Sequence, residues 1–103
     1  LGSTGLHRMN WETRKFEIGY WMDSRYTKKG YMTEAVELLT NFTFDKLLAN
    51  RVEIRCDSKN INSRRIPEKL GYTLEGTLRH NSYDSTGTSL RDTCIFSKIR
   101  SEL

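Results

Sequence analysis

Residues 16–47 read FEIGYWMDSRYTKKGYMTEAVELLTNFTFDKL, and this stretch decides the fold. Phe16 to Met22 is short, apolar, aromatic and rich in β-formers, which predicts one strand. Asp23 and Ser24 close it with turn chemistry. From Gly30 onward Met32, Ala35, Val36, Leu39, Phe42 and Leu47 recur at close to helical spacing, so Thr33–Leu47 is expected as a helix with one apolar face. Glu34, Glu37, Asn41, Asp45 and Lys46 occupy its other face.

The connection between strand and helix carries Arg25, Lys28 and Lys29. The first N–H groups of a helix lack an internal partner, and the helix dipole adds partial positive charge there. Cations beside such amides make the turn a candidate cradle for a phosphate or pyrophosphate. Gly30 lets the backbone approach a ligand with no Cβ in the way. The competing reading is an ordinary strand-to-helix connection with solvated lysines.

Outward from this unit, Leu6–Met9 and Phe16–Met22 are expected to form a hairpin or meander across the polar turn Asn10–Lys15. After the helix, Arg51–Cys56 alternates charged and apolar residues, a half-buried strand that completes a right-handed βαβ unit. Asp57–Asn62 reads as a polar loop. Ser63–Leu70 reads as a short helix ended by Gly71, with Asn60 or Asn62 as cap and Pro67 close to its start. Tyr72–Leu78 and Asp92–Ile99 are expected strands, and Asn81–Ser89 a flexible loop.

A chain of 103 residues supports one domain, residues 1–103, and 36% hydrophobic with 29% charged residues describes a folded globular protein. No apolar run approaches the roughly 18 residues of a membrane span, and no signal peptide is visible. Cys56 and Cys94 lie in strand-like runs, as buried thiols suited to a reducing cytoplasm. The net charge of +4 favours an anionic ligand or an acidic partner, and is too small to argue nucleic-acid binding. Arg51, Arg55, Arg64 and Arg65 have no aromatic stacking motif behind them. No Cys/His cluster has metal-ligand spacing, so no metal is expected.

Two segments, EIGYWMDSRYTKKGYMTEAV (17–36) and RVEIRCDSKNINSRRIPEKLGYTLEGTLR (51–79), resemble the GNAT acyl-CoA-dependent N-acetyltransferases. Within these the chain is most similar to the RimJ/RimL-like branch, which acetylates N-terminal amines of ribosomal proteins and related amines. The resemblance covers nearly the whole chain. It implies an α/β fold with a mixed, mostly antiparallel sheet, in which Phe16–Met22 and Arg51–Cys56 are parallel neighbours splayed at one end. It also implies acetyl-CoA as cosubstrate and a primary amine, a protein N-terminus or a small amine, as acceptor. Tyr20, Trp21 and Met22 would offer backbone partners to pantetheine. Arg25, Tyr26, Thr27, Lys28, Lys29, Gly30, Tyr31 and Met32 would surround the pyrophosphate, and Asn60 and Ser63 would sit near the thioester.

The family pattern is kept in part. Gly30 is retained, while Thr27 stands where Gln or Arg is usual, Met32 replaces a small residue and Lys28 a frequent glycine. Pro67 stands where many relatives carry a general-acid tyrosine. The family's fold places a further strand and helices, part of the acceptor pocket, before the segment corresponding to Leu1. The resemblance therefore implies the C-terminal, cofactor-binding part of a longer acetyltransferase.

The chemistry requires an amine to lose a proton and attack a thioester, with the oxyanion and leaving thiolate stabilised. Glu17 is the leading base candidate, alternating with Gly19 and Trp21 on one face of its strand. A carboxylate of ordinary basicity would act through water or be made more basic by burial. Pairing with a neighbouring cation is the alternative role. Ser63 is the candidate for binding the thioester or leaving sulfur, with a helix cap as its alternative. His7 and His80 stay unassigned, and Ser82 and Asp84 give no second active-site carboxylate. Against the enzyme stands a CoA-binding or ribosome-associated module without turnover. A chain opening inside a strand also leaves a sheet edge that favours self-association.

Overall fold

The computed structural model describes residues 2–22, 30–83 and 87–102. Five strands and two helices follow one another as β1 (Gly2–Asn10), β2 (Lys15–Met22), α1 (Tyr31–Asp45), β3 (Arg51–Asp57), α2 (Ile61–Lys69), β4 (Thr73–Tyr83) and β5 (Leu90–Ile99). The sheet order is β1-β2-β3-β5-β4. β2 and β3 are parallel, joined by the α1 crossover, and every other neighbouring pair is antiparallel. This is the mixed, mostly antiparallel sheet expected from the sequence.

Strand periodicity explains which face is buried. Register sets Phe16 beside Val52, Ile18 beside Ile54, Ile54 beside Phe96 and Cys56 beside Cys94. These side chains share one face, where Met32, Val36 and Phe44 of α1 and Ile66 of α2 complete the core. Each fully buried Val, Ile or Phe contributes about 1.5–3 kcal/mol, so this face holds the fold together. The opposite face carries Lys15, Glu17, Arg51, Glu53 and Arg55, charges instead of a second apolar layer.

The helices differ from expectation in ways that have physical causes. α1 begins at Tyr31, not Thr33, and ends at Asp45, not Leu47. Phe42, expected inward, is 48% exposed, while Thr40 and Thr43 are buried. Both threonines enter the core with satisfied hydroxyls: Thr40 shares a 2.7 Å hydrogen bond with the Tyr72 hydroxyl, and Thr43 donates to Leu39 O at 2.7 Å. The Arg100 guanidinium donates to Phe44 O at 2.6 Å and Ala49 O at 2.9 Å, satisfying a carbonyl of the last α1 turn. α2 starts at Ile61, earlier than Ser63, because Asn60 caps it.

The β4–β5 hairpin is longer than the expected loop allowed. Asn81–Tyr83 belong to β4, with Ser82 paired to Arg91 and Tyr83 to Leu90. Polar contacts hold this segment: Arg91 Nε donates to Ser82 Oγ, Asn81 Nδ2 to Thr93 Oγ1 and His80 N to Asp92 Oδ1. Asp84 lies outside the described residues.

Candidate active site

The site begins where the sheet divides. β2 and β3 pair from Lys15↔Arg51 to Ile18↔Ile54, and no further. Beyond that point β2 stays with β1 (Gly19↔Gly5, Tyr20↔Thr4) and β3 with β5 (Arg55↔Ile95, Cys56↔Cys94). The parallel strands therefore part, and backbone groups at a cleft are opened to a partner other than the sheet.

Tyr20 spans this cleft on the helix side. Its hydroxyl donates to Ser63 O in the first turn of α2 at 2.6 Å. The reason lies in Pro67, four residues on, which has no N–H to give that carbonyl. Tyr20 thus supplies the hydrogen bond that Pro67 removes. Burial, with the neighbouring Cys56 and Tyr72 groups adding, holds the Tyr20 phenol far above its ordinary range, so it is a hydroxyl donor. Burial likewise pushes the Cys56 thiol up to about 12, with Cys94 opposite it adding, so it is no thiolate nucleophile.

Asn60 and Ser63 lie together at the start of α2, with the cap role on Asn60, one of the two caps foreseen from the sequence. Asn60 Oδ1 accepts from Ser63 N at 3.1 Å, so Ser63 is the third helical residue and not the cap. Gly30 opens α1 with φ +71, in the left-handed region that favours glycine. The first bond of α1 runs from Glu34 N to Gly30 O at 3.0 Å. The amides of Tyr31, Met32 and Thr33 precede it and have no intrahelical acceptor. The Tyr31 side chain is 59% exposed, whereas Met32 is buried in the core and can offer a ligand only its backbone. Arg25, Tyr26, Thr27, Lys28 and Lys29 lie outside the described residues, as do the side chains of Trp21 and Met22.

Glu17 projects from the other face of β2, away from Tyr20 and Ser63. Its Oε1 accepts from Arg8 Nη1 at 3.2 Å and lies 3.7 Å from Arg55 Nε, so the cation pairing foreseen as its alternative role is present. Arg55 Nε is also 3.5 Å from Glu53 Oε1. Glu53 is bonded in turn by Arg51 Nε at 2.8 Å, and Arg51 grips Glu75 with both terminal nitrogens, at 2.7 and 2.8 Å.

His7 is the residue that sequence reasoning left without a partner. Hairpin register sets it directly opposite Glu17, and its ring lies across Gly19. A Cβ on Gly19 would stand 2.4 Å from His7 Cδ2 and 2.6 Å from Nε2, so only glycine admits the ring there. The signal was the pairing of Gly-x-His in β1 with Glu-x-Gly in β2, legible only once the register is known. Around these groups runs an open groove of about 710 Å³, lined by Thr4, Gly5, His7, Arg8, Glu17, Gly19 and Tyr20. His80 sits on β4, remote from this hairpin in the sheet order.

Residues 1–73 match the model of the acetyltransferase (GNAT) domain. The chain belongs to the GNAT acetyltransferase family. It is 38% identical over 82 residues to YdaF of Bacillus subtilis, provisionally named a ribosomal N-acetyltransferase, covering 80% of this chain and 45% of that protein. A crystal structure provisionally assigned as an acetyltransferase superposes with a TM-score of 0.92 at 33% identity, over 99% of this chain and 56% of its own. RimL, an alpha-N-protein acetyltransferase of a ribosomal protein solved in complex with coenzyme A, shares the fold with a TM-score of 0.85 at 21% identity, over 95% of this chain and 54% of its own. The chain spans about half the length of the curated relatives it matches. Among the described residues no GNAT helix is long and apolar enough to cross a membrane, and no His, Cys, Asp and Glu cluster could hold a metal ion.

Proposed function

We propose that the chain is the cofactor-binding part of an acetyl-CoA-dependent N-acetyltransferase acting on a primary amine, an N-terminal amine of a ribosomal protein or a small amine. One observation carries the reading: β2 and β3 part after Ile18 and Ile54, leaving a cleft in the sheet. α1, which follows β2, opens with three amides that have no partner within the helix. Coenzyme A in the RimL structure and the ribosomal name of YdaF support the ligand and the acceptor class.

The thioester supplies the acetyl group and a thiolate leaving group. In this reading the Tyr31–Thr33 amides and Gly30 hold the pyrophosphate, with Arg25, Tyr26, Thr27, Lys28 and Lys29 completing the turn. Backbone groups of Tyr20, Trp21 and Met22 hold the pantetheine arm. Asn60 orders the first turn of α2, so that Ser63 faces the thioester. Glu17, fixed by Arg8 and Arg55, lines the groove in which the acceptor amine would lie. The free thiols Cys56 and Cys94 suit a cytoplasmic location.

A second reading, a coenzyme A-binding module without turnover, rests on Pro67, which has no proton to donate. Calorimetry with coenzyme A, followed by thiol release from acetyl-CoA with N-terminal peptides of ribosomal proteins and small amines, separates the two. Amine-dependent thiol release is the expected result. Binding without release selects the module, and absence of binding overturns both.

A further inference from the structure

We infer that His7, the neighbour of Glu17, takes the proton from the acceptor amine. This rests on the acetyltransferase reading above and assigns within it a role that the sequence offered first to Glu17.

Position is the first argument. Gly19 is the first residue of β2 beyond the last parallel pair, Ile18↔Ile54, and the His7 ring lies on it with Nε2 directed over the residue. The groove and the cleft meet at this residue, so His7 is the groove's imidazole at the junction. Gly5 faces Gly19 across the hairpin, so no side chain fills the floor beside the ring. An extended chain bearing an amine can lie flat there, with its nitrogen brought to the imidazole.

Electrostatics is the second. Glu17 Oε1 is already held by Arg8 and approached by Arg55, so its charge is committed to two guanidinium groups. An exposed imidazole is the side chain that ordinarily exchanges protons near neutral pH. The groups that face His7 are Glu17 opposite it on β2, Arg8 beside it on β1, and Arg55 with Glu53 beyond them on β3. Glu17 lies opposite His7 in the hairpin register and holds Arg8 and Arg55 beside it, which makes it a positioning residue.

The protons balance. The ammonium form of the acceptor gives one proton to His7, which later releases it to water. The neutral nitrogen forms the new C–N bond as the C–S bond breaks, and the second proton lost by nitrogen ends on the departing thiolate.

The test is acetyl-transfer kinetics of the wild type, His7→Ala, Glu17→Gln, Gly19→Ala and His7→Ala/Gly19→Ala, with coenzyme A affinity by calorimetry as the control of integrity. His7→Ala should lower kcat/KM for the amine about 100-fold or more, leave coenzyme A affinity unchanged, and remove the rise in rate through neutral pH. Glu17→Gln should keep that rise. Gly19→Ala should lower the rate by displacing the ring, and should cost nothing further once His7 is alanine. An active protein in which His7→Ala stays within about twofold of wild type, or in which Glu17→Gln alone abolishes the pH-dependent rise, overturns the inference by itself. A full Gly19→Ala loss in the absence of His7 also overturns it. Wild-type protein that binds coenzyme A but acetylates no amine sinks the proposed reaction, and the inference with it.

Discussion

At the scale of single residues, Tyr20, Ser63 and Pro67 form one unit. Pro67 withholds an amide from the Ser63 carbonyl, and Tyr20 restores the bond from across the cleft at 2.6 Å. Tyr20→Phe should therefore destabilise the fold by about 1 kcal/mol, the cost of a part-buried acceptor left bare. Pro67→Ala in that background should recover part of the loss by returning a helical amide. Urea unfolding of both single variants and the double closes the cycle, and simple additivity would show that the two residues are not linked. Gly30 makes a separate prediction. A Cβ there would meet nothing within 4 Å, so the strain of Gly30→Val comes from the backbone at φ +71. Left-handed geometry costs a residue with a Cβ about 1–2 kcal/mol, so the turn should relax out of shape. Coenzyme A affinity should then fall further than in Lys28→Ala/Lys29→Ala, because lysine charges outside a buried site contribute little and mostly at low salt. Calorimetry on both variants decides it, and undiminished binding by Gly30→Val would remove the turn from the pyrophosphate site.

At the scale of elements, the charged face of the sheet works as a ladder from strand to strand. Arg8, Glu17, Arg55, Glu53, Arg51 and Glu75 alternate in sign from β1 to β4, with Ser97 of β5 donating to Glu75. Hydrogen bonds from Arg51 and then Ser97 hold the Glu75 carboxyl down at about 2. Burial pushes Glu53 up, and the Arg51 bond with the Lys15 and Arg55 charges more than offsets it, so its carboxyl also sits below the usual range. Depressed carboxylates contribute stability that is complete above their unfolded value of about 4.5 and is lost as pH falls toward about 2. Glu75 is 43% exposed, so solvent screening keeps its own share small. Arg51→Leu should cost about 2 kcal/mol near neutral pH, where it leaves Glu53 only Lys15 and Arg55, and less near pH 2. Equal urea midpoint losses at both pH values would refute the ladder. The same face marks the limit of what the sequence discloses. Phe16 and Ile18, with Val52 and Ile54, alternate visibly, so β2, α1 and β3 could be read directly. Thr40 and Thr43 look polar until their hydroxyl partners are known, which turned the expected face of α1 toward Phe42. Asn81 to Tyr83 lacks apolar alternation and read as the start of a loop, because polar cross-strand contacts hold it. His7 had no reading, since its neighbours come from hairpin register and not from its own segment.

At the scale of the whole molecule, the sheet has two edges, β1 and β4, and they differ. β4 is exposed along nearly its whole length, with Leu74, Leu78 and Tyr83 at 45%, 40% and 63% exposure. Register breaks at Leu74/Gly76 and at Leu78/Ser82, and such bulges twist an edge away from further pairing. β1 is regular from Gly2 to His7, with its single irregularity between His7 and Asn10. Among the described residues no strand pairs with its outer side, so a row of backbone donors and acceptors stands open there. A second copy offering its own β1 can satisfy that row, whereas the broken ladder of β4 cannot accept more than short stretches. Residues 1–103 on their own should therefore self-associate through β1 as concentration rises. Light scattering should show a mass above that of one chain, and hydrogen exchange at the same concentrations should slow for amides of residues 2–7 while those of 73–83 stay unchanged. A strict monomer at the highest concentration overturns the association. Slowing confined to β4 would instead place the contact on the opposite edge and refute the argument from bulges.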